Sequence, residues 1–257
     1  MEYVVIVFAA FFISAFTLFS GFGLGIMLMP VLAIFFSVEI AITLTAIVHF
    51  LSNLFKLILL GKYANIKVVL KFGIPAFVAA ILGSLLLVQL SELPVLYNYH
   101  LFAANFQITL IKLIIGMLLI IFAAMEAIPK LKNLSFDKKY LSIGGVLSGF
   151  FGGLVGHQGA FRSAFLIRAG LNTESFIATG VVIACLVDVF RLLVYSTHIS
   201  SATIQHNWGL LLAATLSAFS GAFLANLFIK KVTFKSIRIF VSVMLLLIAI
   251  AMITGII

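Results

Sequence analysis

Apolar residues run along this chain in blocks of 14–25, separated by short polar joints. The pattern predicts ten helical segments: 3–20, 22–36, 39–60, 66–90, 107–128, 139–155, 157–170, 173–197, 207–229 and 233–256. A hydrocarbon core about 30 Å thick takes roughly twenty helical residues, so most of these blocks have the length of a membrane crossing. No segment alternates polar and apolar residues with period two, which argues against a membrane β-barrel. The expected fold is an all-α, polytopic membrane protein. Its first block, MEYVVIVFAAFF, has no basic leader and no small-residue cleavage site, so it reads as a retained helix.

The polar joints carry the orientation. Lys62, Lys67 and Lys71 fall in one joint, Lys130, Lys132, Lys138 and Lys139 in a second, and Lys230, Lys231, Lys235 and Arg238 in a third. Joints 91–106 and 198–206 contain neither Lys nor Arg. Basic joints stay cytoplasmic, which puts the first three inside, the other two outside and both termini on the periplasmic side of an inner membrane.

A fixed shift of 135 residues lays the first half on the second. Gly21 meets Gly156, Glu39 meets Glu174, Asn53 meets Asp188, Phe55 meets Phe190 and Lys56 meets Arg191. Five segments per half is an odd number, so the second half enters from the opposite face. The expectation is two inverted repeats, residues 1–128 and 139–257, forming one membrane domain, as in secondary transporters.

Composition then limits the chemistry. Hydrophobic residues make up 64% and charged residues 9% of the 257, and the mean hydropathy is +1.33. The net charge of +9 sits in the joints that set orientation, so no nucleic-acid partner is expected. A single cysteine, no His pair at helical spacing and no nucleophile constellation point to a protein that is no enzyme and needs neither metal nor cofactor.

Within this grease, GHQGAFRSAF (156–165) stands out. Segments 139–155 and 157–170 are short for crossings, about 25 and 21 Å at 1.5 Å per residue. They read as a re-entrant hairpin of half-helices with Gly156–Gly159 at its tip, and SGFGLG (20–25) supplies the matching turn of the first half. Backbone of this kind survives at depth only where protein or a water-filled cavity satisfies it. Helix N-termini near 22–25 and 157–160 would then converge near the midplane, an arrangement suited to an anion.

The two glycine motifs also carry a resemblance. GFGLGIMLMP (21–30) and GFFGGLVGHQGA (149–160), followed by ATG at 178–180, resemble the duplicated motifs of the TauE/SafE family of sulfite and organosulfonate exporters. The likeness implies a transporter of a small anion across the inner membrane. Gln158, Arg162 and Phe165 depart from the family's more glycine- and proline-rich second motif, which leaves the substrate open. An anion channel, or a permease for another carboxylate or oxyanion, is the alternative.

The candidate substrate site comprises Gly21, Gly23, Gly25, Asn53, Gly156, His157, Gln158, Gly159, Arg162 and Arg191. Asp188 serves coupling or charge pairing, as a partner of Arg191 one turn away or as a proton carrier. Arg162 and Arg191 lie where a charge is costly, so both should face the bundle interior. Asn53 lines the cavity or bridges helices, and His157 donates to an oxyanion or braces the turn. Lys56 is expected to snorkel and His49 to serve helix packing. The bilayer and a small anion are the only expected partners, with the oligomeric state open.

Overall fold

The computed structural model describes residues 2–20, 24–101, 104–128, 135–198, 201–228 and 234–257. It is mostly helical. The helices are α1 (Glu2–Ser20), α2 (Leu24–Ala33), α3 (Val38–Leu60), α4 (Ile66–Ser91), α5 (Leu110–Ala127) and α6 (Leu141–Val155). They continue as α7 (Gly159–Leu166), α8 (Thr173–Ser196), α9 (Ser201–His206), α10 (Trp208–Phe228) and α11 (Phe234–Ile253).

Local chemistry sets several of the boundaries. Asn172 caps α8 by accepting the Ser175 N–H at 2.8 Å, and Asn65 caps α4 by accepting the Val68 N–H at 3.2 Å. Within α4, residues Val69–Gly73 widen into a π-helical turn just before Pro75. Proline has no N–H for the Lys71 carbonyl, and the Ser142 hydroxyl of α6 donates to that oxygen instead, at 3.2 Å.

Polarity is inside out. Large apolar side chains such as Ile58, Leu82, Met117, Leu216 and Ile250 face outward, while His49, Asn53, Gln158, Asp188 and Arg191 are buried. A soluble protein does the reverse, because water rewards exposed charge. Among the described residues, Val38–Tyr63, Ile66–Ser91 and Thr173–Ser196 are long and apolar enough to cross a membrane.

The helices pack most extensively as α4 on α6, α1 on α10, α5 on α11 and α3 on α8. Along the first pair, Gly145, Gly149 and Gly153 of α6 face the backbones of Phe72, Ala76 and Ala80 of α4. Both series step by four residues, one ridge of each helix. Without side chains on α6 the two backbones come close enough that a methyl group on Gly149 would overlap the Ala76 carbonyl. Gly221 of α10 meets the Phe11 carbonyl of α1 in the same manner.

Helices α2, α3 and α4 begin at Leu24, Val38 and Ile66, and α7, α8 and α9 begin at Gly159, Thr173 and Ser201, each 135 residues later. Phe55 of α3 stacks on Phe219 of α10, and Phe190 of α8 stacks on Phe77 of α4.

Two expectations need correction. The joint 91–106 contains a hairpin, with β1 (Tyr97–Leu101) antiparallel to β2 (Ala104–Ile108), so the fold is not purely helical and the next helix starts at Leu110 rather than 107. Tyr97, Tyr99 and Phe106 stack on one face of this hairpin, a local alternation too short to register beside the long apolar runs. Helix α7 stops at Leu166, well before residue 170, and the chain leaves through Gly170 at φ +76°.

The hairpin of short helices is present. At 1.5 Å per residue α6 and α7 are about 22 and 12 Å long. Their outer ends lie together: Phe136, just before α6, donates its N–H to the Ala164 carbonyl at 3.1 Å and stacks on Phe165, and Gly170 lies against the Lys138 ammonium.

Candidate functional site

Helix α6 ends because Gly156 adopts φ +76°, a left-handed conformation that glycine enters without a Cβ penalty. Its N–H donates to the Gly152 carbonyl at 3.0 Å, and the His157 N–H donates to the Phe151 carbonyl at 3.2 Å. These two amides therefore close α6 and do not face a ligand, so the helix N-terminus expected near 157–160 lacks the His157 amide. The donors left over belong to the first turn of α7, which starts at Gly159 with no side-chain cap from Gln158. The Ser148 hydroxyl donates to the Gln158 carbonyl at 2.9 Å and pins the turn between the two helices.

Beside this turn, α3 crosses α8. Both are wholly helical here, so residues four apart share a face. His49 and Asn53 project from α3, and Asp188, Arg191 and Tyr195 from α8, all buried. Asp188 lies at the centre. Its Oδ2 accepts from His49 Nδ1 at 2.7 Å and from Asn53 Nδ2 at 3.1 Å. Its Oδ1 pairs with an Arg191 terminal nitrogen at 2.8 Å and accepts from Gln158 Nε2 at 3.3 Å. The short contact to Asp188 identifies Nδ1 as the protonated nitrogen of His49.

Arg191 also donates to the Gly152 carbonyl at 3.4 Å, and Tyr195 donates its hydroxyl to the Gly153 carbonyl. Both Asp188 and Arg191 have 0% exposure, so neither charge is shared with bulk water. At 4 Å and an effective dielectric of about 20, a unit pair is worth roughly 4 kcal/mol, enough that each holds the other in place.

The remaining candidates fall at different distances from this centre. Arg162, half-buried on α7, donates to Gln158 Oε1 at 3.3 Å and lies against Gly180 of α8. Lys56, expected to snorkel away, is half-buried within electrostatic reach of Arg162 and Asp188. His157 stacks on Phe122 of α5, ring centres 3.5 Å apart. Gly25 reaches the second-half turn: a methyl group on it would stand 3.3 Å from the Gly156 carbonyl oxygen. Gly21 and Gly23 lie outside the described residues, as do Lys130, Lys132, Lys230 and Lys231.

Sequence reasoning left His49 among the packing residues, yet it makes the shortest contact to Asp188. The available signal was its spacing of four from Asn53, which puts both on the face opposite Asp188. Tyr195 was missed for the same reason, being four residues beyond Arg191.

One further feature orients the site. Glu39 and Thr43 from the start of α3, Ser91 and Glu92 from the end of α4, and Tyr195 and His198 from the end of α8 line a cavity of about 180 Å³. The two joints free of Lys and Arg therefore begin at the same end of the molecule. Among the described residues no group of three or more His, Cys, Asp and Glu side chains is placed to hold a metal.

Comparison with known proteins agrees with this picture. The family model for the sulfite exporter TauE/SafE matches residues 6–252. Searches of curated proteins and of solved structures return no match. A match over nearly the whole length, on a chain that buries the Asp188–Arg191 pair and exposes its grease, means that the protein belongs to the sulfite exporter TauE/SafE family of membrane transporters.

Proposed function

We propose that this protein exports sulfite or an organosulfonate across a bacterial inner membrane by alternating access, with the anion held where α3 crosses α8 beside the Gly156–Gly159 turn. The observation that carries the reading is the Asn53–Asp188 hydrogen bond. These residues are 135 apart, the repeat interval, and a residue that touches its own repeat mate lies on the pseudo-two-fold axis. Substrate sites of inverted-repeat transporters lie at such an interface.

Several contacts support two inverted repeats, 1–128 and 139–257. Exchanging repeat mates turns the α4–α6 pair into α10–α1, and it turns the Phe190–Phe77 helix pair into that of Phe55–Phe219. The substrate wall consists of Asn53, Gln158, Gly159, Arg162 and Arg191, with Gly25 and Gly156 allowing close approach of α2 to the second-half turn. Arginine suits the task because its planar fork matches an oxyanion. His157 packs the turn against α5 and is a positioning group.

Two experiments test this. Purified protein screened by thermal shift against sulfite, sulfate, thiosulfate, taurine and sulfoacetate should be stabilised by at least one of them. In proteoliposomes, labelled substrate should show saturable uptake and counter-flow. Flux that never saturates, without counter-flow, would establish a channel instead.

Orientation has its own test. Both termini and the β1–β2 hairpin are assigned to the periplasm, and the Lys62 joint to the cytoplasm. Asn98 and Lys62 are both exposed, and Cys185 is buried. In a Cys185→Ser background, cysteines at Asn98 and Lys62 should be labelled from opposite faces of the membrane; labelling of both from one face rejects the assignment.

A further inference from the structure

The Asp188 carboxylate already has what a bound oxyanion would need. Four donors from three elements converge on its two oxygens: His49 Nδ1 and Asn53 Nδ2 on one, Arg191 and Gln158 Nε2 on the other. That fills roughly the four lone-pair positions a carboxylate offers. Asn53, Gln158 and Arg191 are also the groups assigned above to the substrate. The side chain thus acts as a built-in surrogate for the anion, and the two compete for the same donors.

Resting on the reading of this cluster as the anion site, we propose that substrate binding takes up one proton, which Asp188 carries, so that proton and anion occupy the site together. The physical reason is that a carboxylate and a substrate anion cannot share Arg191 while both are charged and cut off from water. A proton from water in the access path forms an O–H bond on an Asp188 oxygen. The neutral carboxyl then frees Arg191 and Gln158 for the substrate while remaining hydrogen-bonded to α3. When the anion leaves, the proton returns to water and the Asp188–Arg191 pair re-forms.

Charge in the buried site supports the step. Asp188, Lys56, Arg162 and Arg191 carry a formal +2 when the site is empty. A proton raises this to +3 and a monoanion returns it to +2, so the occupied and empty sites present the same charge to the bilayer. Every charged or titratable group facing Asp188 enters that balance: His49 and Lys56 from α3, Arg162 from α7, and Cys185, Arg191 and Tyr195 on its own helix. His49 donates Nδ1–H to Asp188 and can take a proton on Nε2, and the test separates it from Asp188.

Methanesulfonate keeps a single negative charge between about pH 6 and pH 8, so any pH dependence of its binding belongs to the protein. Should it not bind, the panel member that does replaces it, corrected for its own titration. Calorimetric titration in buffers of different ionisation enthalpy should show one proton taken up per anion. Affinity should rise by about tenfold for each unit that the pH falls, the slope for one linked proton. Asp188→Asn should bind with an affinity independent of pH and without proton uptake, while His49→Gln should keep the slope. Anion binding by the native protein with no proton uptake overturns the inference, and this needs no variant to fold. A slope that survives in Asp188→Asn and vanishes in His49→Gln moves the proton to His49 and also overturns it. If no panel anion binds at any pH, the anion-site reading itself fails and this inference fails with it.

Discussion

Arg191→Gln is expected to cost about 3–5 kcal/mol of stability and to abolish anion binding. The substitution leaves Asp188 ionised at 0% exposure with its counter-charge gone, and a bare buried carboxylate is the costly product of breaking such a pair. Full burial of the pair, with a further contact from Arg191 to the Gly152 carbonyl, makes the folding cost substantial. The double variant Asp188→Asn, Arg191→Gln removes both charges and should recover most of the stability while binding stays lost. Thermal unfolding in detergent, run as a double-mutant cycle, measures the coupling between the two side chains. If Arg191→Gln melts with the native protein, the pair does not hold this crossing together. Arg191→Lys should restore part of the stability but little binding, because an ammonium lacks the fork.

Gly149→Leu should have a comparable effect through packing alone. A methyl group at this position already overlaps the Ala76 carbonyl, and that atom belongs to the backbone of α4, which cannot rotate aside. The helices would have to part along the whole Gly145–Gly149–Gly153 ridge, losing the contact that seats the α6–α7 hairpin. Overpacking of this kind costs about 3 kcal/mol or more where the obstacle is backbone. Gly209→Ala is the matched control: its added methyl would stand 3.4 Å from the Tyr3 hydroxyl, an ordinary contact with a movable side chain. Monodispersity and melting temperature should fall sharply for Gly149→Leu and hold for Gly209→Ala. Equal behaviour of the two would show that the ridge is not tightly packed.

Much of the architecture was legible in the chain because a bilayer admits few solutions. Apolar block length specifies helices and their approximate ends, since lipid cannot satisfy a free backbone group. The interval of 135 residues was readable from Asn53, Phe55 and Lys56 set against Asp188, Phe190 and Arg191. Short segments around Gly156 announced a hairpin, and helical spacing paired Asp188 with Arg191. All of these are local or periodic signals, carried by residues within a few turns of one another or by a fixed shift.

What only the tertiary structure decided is which distant side chains meet. His49 reads as one more polar residue on a greasy helix until α3 crosses α8 and brings it 2.7 Å from Asp188, 139 positions away. His157 reads as a donor or a brace for the turn, and nothing local announces that α5 brings Phe122 to its ring. The His157 amide reads as free until the left-handed turn at Gly156 folds it back on α6. Even the β1–β2 hairpin depends on closure, because Tyr99 donates its hydroxyl to the Thr254 carbonyl near the end of the chain at 2.5 Å. Periodicity says which face of a helix turns inward. Which partner waits there depends on helix crossing and register, and those follow from close packing between segments far apart in sequence.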